Sequence, residues 1–91
     1  MDPLHLIAYS LREYLRANLG ESTARWMDGD LYCGDTHHGI MLGFAIARQE
    51  ELMISPYFIE QVLALDVWSA EDLEMLNEDI SKLPLWWELA S

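Results

Sequence analysis

The sequence predicts a mainly α protein: a compact bundle of about four helices in a single domain, residues 1–91, with a small irregular or hairpin insertion between helices 1 and 2. Three observations lead there. Apolar residues recur at the three-and-four spacing of a helix face along most of the chain. Asp2-Pro3, Ser55-Pro56 and Ser69 with Asp72 each make a helix-start signal. Hydrophobic residues make up 52% of the chain, enough for an ordered core rather than a disordered polymer.

The first helix opens at Asp2-Pro3 and carries Leu4, Ile7, Ala8, Leu11, Tyr14 and Leu15 on one face. Gly20 is its natural C-cap. The opposite face holds His5, Tyr9, Arg12 and Arg16; two arginines one turn apart in so acidic a chain are expected to pair with its own carboxylates. The stretch from Glu21 to His38 is the least regular. Asp28-Gly29 between two short apolar arms fits a two-residue hairpin turn. A short helix from Ser22 to Met27 followed by a loop is the alternative.

From Gly39 the run GIMLGFAIARQEEL is apolar nearly all round, which predicts the buried central helix. Gly39, Gly43 and Ala47 recur every four residues and form a strip where another backbone approaches closely, within the chain or across a homodimer seam. Ser55-Pro56 starts a third helix presenting Phe58, Ile59, Val62, Leu63 and Leu65 and stopping near Asp66. Ser69 caps the fourth, with Asp72 in the capping-box position. Leu73, Leu76, Ile80 and Leu83 form its apolar seam, and Pro84 ends it. The tail bearing Trp86 and Trp87 is expected to dock on the core or to serve as an aromatic contact surface.

Charge is the unusual quantity. Sixteen acids stand against five bases, net −11. Residues 1–48 hold six acids and four bases, net −2, whereas residues 49–91 hold ten acids and one base, net −9. That balance argues against direct contact with nucleic acid or an anionic membrane, both of which require basic patches. It favours steering toward a basic protein surface. The N-terminus lacks the basic n-region of a signal peptide. The single Cys33 rules out an intramolecular disulfide framework, and a cytoplasmic protein is expected.

Cys33, Asp35, His37 and His38 are all metal-ligand types, but adjacent histidines without a second, separated pair make poor ligand spacing. A local role is favoured, with Asp35 or Thr36 capping the central helix; no metal or cofactor is expected. No phosphate-binding, dinucleotide-binding, zinc-protease or Cys-x-x-Cys motif occurs, so an enzyme is not expected. The stronger lead is the fourth helix. Glu71, Glu74 and Glu78 lie three or four residues apart, about 5–6 Å on a helix surface, a spacing comparable with that of phosphates along a nucleic-acid strand.

The expected partner-binding residues are Glu71, Asp72, Glu74, Glu78 and Asp79, with Glu50, Glu51 and Glu60 ahead of them and Trp86 and Trp87 behind. In size and charge the chain resembles small acidic phage and mobile-element proteins that act as DNA mimics or anti-CRISPR inhibitors. That resemblance implies a non-enzymatic inhibitor or regulator of a basic, nucleic-acid-binding protein. An adaptor or homodimeric subunit using apolar contacts is the alternative.

Overall fold

The computed structural model of the chain describes residues 2–84. These residues are mainly helical, and no strand occurs among them. The order is α1 (Pro3–Leu19), α2 (Glu21–Ala24), a 3-10 turn (Arg25–Met27), α3 (Asp28–Tyr32), α4 (Thr36–Gln49), α5 (Pro56–Leu63) and α6 (Ala70–Ser81). Packing divides into two units, one ending at Gly43 and one beginning at Phe44, so the boundary falls inside α4. No described helix is long and apolar enough to cross a membrane.

In the first unit α1 forms as its spacing predicts. The Asp2 side chain accepts a hydrogen bond from the His5 backbone N–H at 3.0 Å, and Pro3 takes the first helical position, where a missing N–H is harmless. Ala8, Leu11 and Leu15 are fully buried. Gly20 ends the helix at φ 96°, a left-handed backbone that favours glycine, while its N–H donates to the Arg16 carbonyl.

The expected hairpin at Asp28-Gly29 is replaced by helix. Residues 21–32 form one nearly continuous helical stretch, in which Ala24, Met27 and Leu31 are buried at helical spacing. The alternative helix from Ser22 to Met27 is closer, although the helix continues where that reading placed a loop. The reason is tertiary: a hairpin would scatter these three apolar side chains over two faces, whereas the helix buries all three. Gly34, at φ 83°, then turns the chain into α4.

Within this unit the glycine strip is used inside the chain. A Cβ placed on Gly43 would lie 2.5 Å from Leu11 Cδ2 and 3.2 Å from Met27 Sδ. One placed on Gly39 would lie 3.1 Å from Leu31 Cδ2. The backbone of α4 thus sits directly against side chains of α1 and of the 21–32 stretch. No residue from Gly39 to Ala47 is exposed, as an all-round apolar helix requires.

The second unit buries Phe44, Ala47, Ile54, Val62, Leu76 and Leu83. At the end of α4 the Leu52 N–H donates to the Ala47 carbonyl at 2.8 Å and the Glu51 N–H to the Arg48 carbonyl at 3.3 Å, the two bonds of a Schellman cap. Glu51 holds the left-handed position, φ 54°. Ser55 caps α5 by accepting from the Tyr57 N–H at 3.2 Å. The helix ends at Leu63, earlier than Asp66, and the Val62 carbonyl accepts both the Trp68 indole N–H at 2.9 Å and the Leu65 N–H at 3.2 Å.

Candidate functional site

The acidic helix α6 is fixed at its start by a complete capping box. The Asp72 N–H donates to Ser69 Oγ at 3.1 Å, and the Ser69 N–H donates to Asp72 Oδ2 at 3.2 Å. Glu71 and Asp72 also place negative charge at the positive end of the helix dipole. Leu76 and Leu83 are buried and Leu73 and Ile80 half-buried, which turns the other side of the helix outward.

That outward side carries Glu71, Glu74 and Glu78, all exposed, with Met75 among them at 57% exposure. Glu78 accepts from Lys82 Nζ at 3.1 Å, an exposed pair one turn apart that contributes little to stability. Asp79 is placed differently. Its Oδ1 lies 2.8 Å from Arg48 Nε, and its side chain is mostly buried, so this carboxylate serves an internal contact. Asp72 likewise serves the cap. Glu50, Glu51 and Glu60 are exposed. Trp86 and Trp87 lie outside the described residues.

The basic residues complete the electrostatic picture. Arg12 is the centre of a half-buried cluster: its Nε lies 2.6 Å and its Nη2 3.1 Å from the two Asp28 oxygens, and Nη2 also donates to Glu21 at 2.7 Å. This two-pronged hydrogen bond holds the Asp28 carboxyl below the usual carboxylate range and the Arg12 guanidinium above its own. Arg16 pairs with Glu13 at 2.7 Å, and its guanidinium is raised by that bond. Arg25 reaches Glu21 at 3.8 Å. With Arg48 on Asp79 and Lys82 on Glu78, each of the five Lys and Arg residues is ion-paired to an acid of the same chain.

The acids are not matched in return. Among the described residues Glu50, Glu51, Glu60, Asp66, Glu71 and Glu74 of the second unit are exposed and make no ion pair. In the first unit most acids are engaged by Arg12, Arg16, Arg25 or His5. The charge surplus read from composition is thus also a surplus of unpaired carboxylates, and it lies in the second unit.

The Cys33–His38 stretch leads into the start of α4. Gly39 N–H donates to the Asp35 carbonyl at 3.0 Å, which places Asp35 at the N-cap position of α4. Thr36 is buried, with its hydroxyl 3.4 Å from His5 Nε2. His37 and His38 lie ring to ring, centroids 4.3 Å apart, and Cys33 is exposed. No group of three or more His, Cys, Asp or Glu side chains among the described residues is arranged to hold a metal ion.

Sequence reasoning missed Arg48 as the residue that draws Asp79 inward, and Met75 as an apolar side chain within the acidic row. The helical period of α6 would have placed Met75 beside Glu71 and Glu78. Compared with protein-family models, curated proteins and solved structures, the chain matches none.

Proposed function

We propose that this chain is a non-enzymatic acidic regulator that docks onto a basic, nucleic-acid-binding protein and competes with the nucleic acid for its surface. Glu71, Glu74 and Glu78 form the centre of the contact, with Glu50, Glu51 and Glu60 adding to the same charge. The observation that carries the reading is the imbalance of pairing: every Lys and Arg is engaged within the chain, while exposed carboxylates of the second unit lack ion-pair partners. A surface of one sign raises the encounter rate with an oppositely charged groove and repels polyanions. Action in the manner of a phage-encoded DNA mimic or anti-CRISPR protein fits this chemistry.

The test is recovery of partners on the tagged chain from lysate, followed by competition. The wild type is expected to retain a basic protein at low salt, to release it at high salt and to displace DNA or RNA from it. The triple variant Glu71→Lys, Glu74→Lys, Glu78→Lys is expected to lose affinity by orders of magnitude and to show a flatter salt dependence. A folded triple variant with unchanged affinity would overturn the proposal.

A further inference from the structure

We draw no further inference here: the strongest candidate, the exposed face of the helical stretch 21–32 that carries Trp26, Gly29 and Tyr32, supports none because nothing in the structure shows what covers it.

Discussion

Arg12 grips Asp28 through two parallel hydrogen bonds, 2.6 and 3.1 Å, and so ties the middle of α1 to the first residue of α3. The pair is half-buried, and Glu21 adds a third bond to the same guanidinium. Removing either member leaves the other desolvated without its partner. Arg12→Ala is therefore expected to destabilise the fold by about 1–3 kcal/mol in urea titrations, and Arg12→Lys by less, since an ammonium keeps the charge but not the fork.

The same pair sets an acid limit. The folded state holds the Asp28 carboxyl below its ordinary value. Its contribution is fully present above the unfolded carboxylate pKa, about 4, and is lost as pH falls through the lower folded value. Urea midpoints measured from neutral pH down to about pH 3 should decline less steeply for Asp28→Asn, which starts from a lower plateau, than for wild type.

Three glycines should respond differently to one substitution. Gly43→Ala drives a methyl into Leu11 and Met27, and a thermal melt should show a loss of about 1–3 kcal/mol. Gly39→Ala meets Leu31 less closely and should cost less. Gly29→Ala meets nothing and replaces a poor helix former, so a gain of up to about 1 kcal/mol is expected in dilute solution.

Glu51 occupies the left-handed turn that closes α4, where glycine is the usual residue. Glu51→Gly relieves that backbone and removes a negative charge from the negative end of the helix dipole. Stability should rise by roughly 0.5–1 kcal/mol in a denaturant titration. Retained binding to a basic partner would show that Glu51 contributes little to the proposed contact.

Ser69→Ala tests the mounting of α6. It removes the acceptor for the Asp72 N–H and half of the capping box, and about 1 kcal/mol of stability should be lost. Exchange of the first-turn amides of α6 should quicken more than that of the buried Leu76 amide.

The four longer helices are legible in the sequence because their signals are local. Asp2-Pro3, Ser55-Pro56 and Ser69 with Asp72 each act within a few residues, and all three cap as expected. Residues 21–32 mislead because Asp28-Gly29 satisfies a hairpin rule equally well. What decides there is a long-range grip by Arg12 and the joint burial of Ala24, Met27 and Leu31. The last is present as helical spacing, but the run is too short to outweigh the turn. On α6 the helical period places Glu71, Glu74 and Glu78 outward. It has no means of showing that Asp79 turns toward Arg48, a residue on another helix.

That every Lys and Arg is already engaged has a consequence for small ions. The unpaired carboxylates of the second unit must be neutralised from solution, so the protein carries a loose atmosphere of potassium or sodium wherever it goes. Docking on a basic surface would return those ions to bulk water, together with the anions that shield the partner. The favourable free energy of such an encounter would then be largely the entropy of released electrolyte, and the ionic strength of the compartment would set how tightly the protein holds.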